Sequence, residues 1–459
     1  MITTFHKFRQ LTAYFFLAVS VISGTGFSNP DERTAKRDAV LKSIVPPAPP
    51  ADSVVITAFG AAGDSVTNCK PAFDKALNLG KSQKGLKIIV PPGIYFIQGP
   101  IHLASNVCIE LQKGARLKFS SDPKDYLPPV FTSWEGTFLY NYSPLIYGYR
   151  LENVSITGEG MIDGNAAETF SKWKGWQEPA QMKSREMNHE NVPFEKRVFG
   201  EGSYLRPHLI QFFECKNILI ENIHITNSPF WCIHLLKSEN ATVRGISFNA
   251  KNINNDGIDP EYSKNILIED VDFDNGDDNV AIKAGRDHEG RKTAITTENI
   301  IIRNCRFKGL HAVVIGSEMS AGVRNVFVEN CTFGGYCKRG IYLKSNPDRG
   351  GFISDIYVNN VTFDEVEDAF YITSFYHGEG KGFETDIQRV YVDSLYCNKA
   401  TNAGLVIQGF PGKKVHDIYF SNVMIHSTAV GISFNNAENI VMSDVNIGGV
   451  IKTMPSYGH

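Results

Sequence analysis

The chain repeats itself. From residue 215 onward a ten-residue pattern returns as KNILIENIHI (216–225), KNILIEDVDF (264–273), ENIIIRNCRF (298–307), RNVFVENCTF (324–333), SDIYVNNVTF (354–363), HDIYFSNVMI (416–425) and ENIVMSDVNI (438–447). Apolar residues alternate within each copy. The copies recur at intervals of roughly 22 to 34 residues, with no amphipathic helical stretch between them. Short strands and turns returning at that period make a solenoid. A single coil cannot bury its apolar face, whereas coils stacked about 4.8 Å apart share a continuous core and pair their backbone groups. Leucine-rich repeats would show a fixed leucine pattern and a helical return, and neither is present. The fold expected is therefore an all-β parallel β-helix, which also accommodates 459 residues, more than one globular core usually holds.

A second strand family lies between those copies: WCIHLL (231–236), DGIDPE (256–261), NVAIKA (279–284), AVVIGS (312–317), GIYLKS (340–345), AFYITS (369–374), GLVIQG (404–409) and GISFNN (431–436). Aligned on their apolar positions, Ile233, Ile258, Val280, Ile282, Val313, Ile315, Ile341 and Leu343 point inward. His234, Asp259, Lys283, Val314, Tyr342 and Lys344 then share the outward face. Just ahead of this strand, successive coils place Trp231, Asp256, Asp277 with Asp278, His311 and Arg339. Groups far apart in sequence thus line one groove.

Residues 1–28 read as an export signal. Lys7 and Arg9 form a basic start, Leu11 to Ile22 a mostly apolar run, and small residues follow to Ser28. The apolar run is shorter than the roughly 20 residues of a bilayer span, so an exported, periplasmic or secreted chain without stable membrane insertion is expected. Residues 29–50, rich in charge and proline, are expected to be a flexible leader, and 51–459 the β-helix. Within the latter, residues 54–78 read as a strand, a turn and one amphipathic helix that caps the open end of the stack. The stretch 165–206, with Trp173 and Trp176, breaks the period and is expected to be an irregular, functional insertion. A net charge of −3 without acidic or basic blocks gives no reason for a nucleic acid partner, and a monomer is expected. The eight cysteines show no metal-type spacing and read as small apolar residues of the interior.

Three carboxylates on adjacent coils cannot all titrate normally, because neighbouring like charges raise one proton affinity. That separates an acid from a base. Hydrolysis of a glycosidic bond with inversion needs this division, with carboxyls about 6.5 to 9.5 Å apart. In isolation, NNDGID and NGDD read more readily as Asx-turns at coil corners than as catalytic groups. Their convergence with His311 and two cations favours catalysis.

These residues resemble glycoside hydrolase family 28, the polygalacturonases and rhamnogalacturonan hydrolases, in its bacterial-type members. The resemblance runs from FGAAGDSVTN (59–68) through VPPGIYFIQGPIHLASNV (90–107) and NSPFWCIHLL (227–236) to the last coils. Asn254-Asn255-Asp256 resembles the family's Asn-Thr-Asp motif, Gly276-Asp277-Asp278 its Gly-Asp-Asp, His311 its Gly-His-Gly histidine, and Tyr342-Leu343-Lys344 its Arg-Ile-Lys. The resemblance implies a right-handed, single-stranded β-helix of the pectin-lyase-like kind. It also implies hydrolysis of galacturonic acid linkages in pectic substrates, without metal or cofactor. In that scheme Asp277 is the general acid, Asp256 and Asp278 position and deprotonate water, His311 tunes the acid, and Lys344 pairs with a uronate carboxylate.

The departures also carry information. Tyr342 stands where the family has an arginine clamp, so Arg339, Lys283 or Arg286 is expected to supply charge, or else the adjoining sugar is not a uronate, as in rhamnogalacturonan. Leu310 and Ala312 replace the glycines that flank the histidine. Trp231 and His234 are candidates for sugar contact, and the insertion is expected to close one groove end and favour terminal attack. Two other classes share this architecture: calcium-dependent lyases, for which the aspartate cluster would be a metal site, and non-catalytic glycan binders, which have no use for three such aspartates.

Overall fold

The structure is a computed structural model and describes residues 30–378, 380 and 382–454. The expected export signal lies outside these residues. Among them, no helix is long and apolar enough to cross a membrane.

The chain winds into a right-handed parallel β-helix whose coils carry strands in three parallel ladders. One ladder runs through Ile210–Phe213, Ile233–Leu236 and Ile258–Glu261 to Val280, Val313 and Ile341. A second takes the first half of each repeat, Lys216–Glu221, Glu239–Arg244, Lys264–Glu269 and Thr297–Arg303. The third takes the second half, as in His224–Thr226 and Ser247–Asn249. In the second ladder the coils stay in register because each turn repeats the same chemistry. The asparagine of KN and EN in the repeats adopts positive φ (Asn217 55°, Asn265 58°, Asn299 61°), a conformation its short amide tolerates. Its side chain then bonds the asparagine one coil away: Asn217 donates to Asn153, Asn240 to Asn217, and Asn299 to Asn265, at 2.6–2.8 Å.

The interior is filled as the alternation requires. Ile233, Ile258, Val280, Ile282, Val313, Ile315, Ile341 and Leu343 are all buried in one continuous core. Stacked rings of Phe248, Phe273, Phe307 and Phe333, 4.9–5.2 Å apart, run along it. All eight cysteines are buried and free. Helix α2 (Lys70–Gln83) closes the amino-terminal end of the stack, burying Phe73, Ala76 and Leu77.

Two expectations need correction. The segment 29–50 is not a flexible leader throughout, since Pro30–Ser43 forms helix α1. Val40 and Ile44 pack on Leu267, Ile301 and Phe327, the outward residues of the second ladder, and Arg37 pairs with Glu329 at 2.6 Å. Three apolar outward positions on consecutive coils form a strip that water would otherwise wet, and α1 covers it. The insertion 165–206 is likewise not wholly irregular. It carries helix α3 (Glu178–His189), which packs on helix α4 (Asp287–Thr293).

Candidate active site

Backbone pairing places the polar residues ahead of the first ladder in line. Asp278 is in register with His311, His311 with Arg339, and Arg339 with Asp368. On the preceding coils, the Gly257 N–H donates to the Asp278 carbonyl and the Cys232 N–H to that of Asp256. Residues 231, 256, 278, 311 and 339 therefore occupy adjacent rungs, although 108 residues separate the first from the last.

Of these, Trp231, Asp256 and Asp278 line a polar cavity of about 200 Å³. Asp256, Asp277, Asp278, Lys283 and Lys344 form its base. Lys174, Gln181 and Arg185 of the insertion stand on one side with Glu135, while Tyr376 and His377 stand among the remaining lining residues. Glu135 sits at the tip of an antiparallel hairpin, Val130–Trp134 with Thr137–Asn141. Arg185 pairs with Glu135 at 3.3 Å.

The three aspartates have unequal surroundings. For Asp278, burial opposes ionisation, but Lys344 Nζ at 2.8 Å and His311 Nδ1 at 2.6 Å outweigh it and hold the carboxyl well below its usual range. For Asp277, burial and then the charge of Asp278 push the proton affinity up. Asp256 is pushed well up by burial, then by Asp259 and Asp277. Neighbours 277 and 278 thus end on opposite sides of the ordinary carboxyl value. Asn254 Nδ2 donates to Asp277 Oδ2 at 3.1 Å, and the Asp278 N–H to Oδ1 at 3.0 Å, so both oxygens of Asp277 are held.

Lys283 is buried within 3.5–3.8 Å of Glu318, Asp256 and Asp259, and 4.4 Å over the ring of Trp231. Its charge binds the carboxylates together. Glu318 also receives Arg286 at 3.1 Å, so Arg286 is engaged as well. Against burial, Lys283, Arg286 and Arg349 hold Glu318 below its usual range.

Several expected contacts are not made. His234 faces outward but is fully buried beneath the hairpin, where it meets Gln211 and Glu261 at 2.9 Å. Burial drives His234 down to about 3 and Glu261 up to about 8. His234 is therefore removed from the sugar-contacting set. Arg339 does not supply the missing charge to the cavity. It pairs with Asp368 at 3.3 Å and its guanidinium lies 4.4–4.7 Å over the rings of Tyr371 and Tyr342. Tyr342 is itself buried with Ala281 and Val314 under Tyr371 and Tyr376. Trp231 lines the cavity but is 3 % exposed. Trp173 is buried and Trp176 is 57 % exposed.

Sequence reasoning missed Glu135, Glu318, Arg206 and Arg349. None lies in the alternating pattern, and each reaches the site from a loop or hairpin. Asn255, at the family's threonine position, donates to the carbonyls of Ser228 and Phe230 at 2.9 Å and fastens the corner beneath Asp256.

Among the described residues, two groups bring possible metal ligands together: Asp277, Asp278 and His311, and His189, Asp287 and Asp348. In the first, Lys344 already places a cation on Asp278; in the second, Arg349 does so on Asp287. These ammonium and guanidinium groups occupy the charge role that an ion would fill.

The family model "Glycosyl hydrolases family 28" matches residues 131–444. A probable polygalacturonase of Vitis vinifera is 31% identical over 398 residues, covering 83% of this chain and 75% of its own. An endo-polygalacturonase of Pectobacterium carotovorum subsp. carotovorum is 26% identical over 391 residues, covering 84% and 90%. Among solved structures, a hyperthermoactive exopolygalacturonase from Thermotoga maritima superposes with a TM-score of 0.86 at 35% identity, covering 93% of this chain and 98% of that one.

Proposed function

Because the chain belongs to glycosyl hydrolases family 28, we propose that it hydrolyses the α-linkage of galacturonic acid in pectic chains with inversion, removing units from a chain end. It is a glycoside hydrolase with polygalacturonase-like activity. The observation that carries the catalytic assignment is the unequal setting of two adjacent carboxyls in one cavity: Lys344 and His311 meet Asp278 at 2.8 and 2.6 Å, whereas Asp277 is held by Asn254 and a backbone N–H. Asp277, lifted by burial and by Asp278, keeps the proton that the leaving oxygen needs. Asp278, held ionised by Lys344 and His311, takes the proton of the attacking water. Asp256, lifted by burial and by Asp259, orients that water. Lys344 fixes the base and turns its remaining donors toward the substrate carboxylate.

Terminal attack is supported by the side of the cavity that Glu135, Lys174, Gln181 and Arg185 build, with cations suited to a uronate. A second reading has one supporting observation. With Tyr342 in the arginine position and Arg339 committed to Asp368, neither offers a carboxylate clamp beside the site, which suits a galacturonate joined to a neutral sugar. The basic start and apolar run of the first 28 residues support action outside the cytoplasm.

Time-resolved product analysis with tri-galacturonate, polygalacturonate and rhamnogalacturonan oligosaccharides tests the proposal. Saturated galacturonate monomer as the first product supports terminal hydrolysis. A ladder of intermediate oligomers overturns the terminal reading, and chelator-sensitive unsaturated products overturn hydrolysis.

A further inference from the structure

Arg206, the last residue of the insertion, is completely buried. Its guanidinium donates to Gln177 Oε1 at 3.0 Å, the Ile253 carbonyl at 2.8 Å and Asn254 Oδ1 at 2.7 Å, and lies 4.9 Å over the ring of Phe230. All these partners are neutral. Burying a cation without a carboxylate in contact is costly, and a neutral side chain of similar size would fill the same space without that cost. The charge therefore calls for an explanation beyond packing.

Its direction supplies one. A guanidinium can only donate, so Asn254 must turn its oxygen toward Arg206 and its NH₂ away. That NH₂ is the group that donates to Asp277 Oδ2 at 3.1 Å. Asn254 holds φ 57°, so its backbone is fixed in the left-handed region while Arg206 fixes its amide. At the other end, Gln177 immediately precedes helix α3, the element carrying Gln181 and Arg185 into the cavity. Gln177, Arg206, Asn254 and Asp277 form one hydrogen-bonded line from the cavity wall to the acid.

We infer that Arg206 is a positioning residue that orients Asp277 through the side-chain amide of Asn254. The inference rests on the assignment of Asp277 as the acid. Arg206 also feels the charges of Glu135, Asp256 and Asp277, so its field and the Asn254 bond both favour ionised Asp277 and temper the rise that burial imposes. Without this line the acid is left loose and holds its proton too tightly.

The test uses the full chain and the variants Asn254→Ala, Arg206→Met and Arg206→Lys, with thermal melts to verify folding. In the folded variants, kcat on tri-galacturonate falls about tenfold with KM within about twofold, and the alkaline limb of kcat moves up by roughly half a pH unit or more. The double variant Arg206→Met/Asn254→Ala costs no more than the worse single change, because both act through one line. If both Arg206 variants fail to fold, Gln177→Leu loosens the guanidinium from its far end and is expected to move the limb the same way. Carbon-13 NMR titration of Asp277, identified with Asp277→Asn, reads the same link without substrate, and its midpoint rises in each variant. An unmoved midpoint, or a uniform loss of kcat with the alkaline limb in place, overturns the inference. A shifted midpoint in a protein inert toward tri-galacturonate upholds the link and overturns the substrate assignment instead.

Discussion

The ammonium of Lys344 meets the carboxylate of Asp278 at 2.8 Å, with both side chains nearly shut off from water and one coil between their strands. Removing one member of such a pair leaves a buried charge uncompensated, at a cost of about 3–5 kcal/mol. Lys344→Met is expected to lower kcat/KM by at least about 100-fold. It also raises the proton affinity of Asp278, so the base is neutralised at higher pH. The acidic limb of the rate profile accordingly moves up, which stopped assays across pH will show.

Asp277→Asn keeps the shape of the acid and removes its proton. The expected loss in kcat is about 10²–10⁴-fold, with affinity for tri-galacturonate changed by no more than a few-fold in calorimetric titration. Undiminished turnover would remove Asp277 from the acid role.

Asp259 is wholly buried beside Asp256 and 3.8 Å from Lys283. Burial first, and the charges of Asp278 and Glu261 next, raise it well above the ordinary carboxyl value, against the opposing pull of Lys283. A carboxyl whose folded value exceeds its unfolded one, near 3.9, weakens the fold as pH climbs above the unfolded value. Asp259→Asn is therefore expected to raise the melting temperature at pH 7 by roughly 2 °C or more, and the gain should fade toward pH 4. An equal gain at both pH values would point to packing instead of charge.

Ile44→Asp introduces a charge where α1 seats on Leu267, Ile301 and Phe327. Stability in urea is expected to fall by about 2–3 kcal/mol, with kcat unchanged. A matching fall in kcat would mean that α1 communicates with the cavity.

Much of this molecule was written in its alternation. The inward set, from Ile233 to Leu343, followed from period two alone, and so did the coincidence of Asp256, Asp278, His311 and Arg339 on one face. What alternation cannot say is what lies over the outward face. His234 and Tyr342 point outward as their positions require, yet a hairpin covers one and a tyrosine cluster the other. The seat of α1 was hidden for a related reason. Its pattern of charge and proline is that of a solvated segment, and only residues some 200 to 300 positions onward turn it into a packed helix, as the Arg37–Glu329 bond illustrates with a separation of 292. Arg206 was invisible because its partners are carbonyls and amides, which no residue spacing announces.

Helix α1 also bears on the order in which the protein assembles. Its seat is made by coils synthesised long after it, among them that of Tyr357, which Lys36 reaches across 321 positions, and that of Tyr391, over whose ring Arg33 lies at 5.6 Å. Contacts of such span close late, because the intervening chain must first be ordered. The first part of the described chain to leave the ribosome is thus anchored only after those coils have formed.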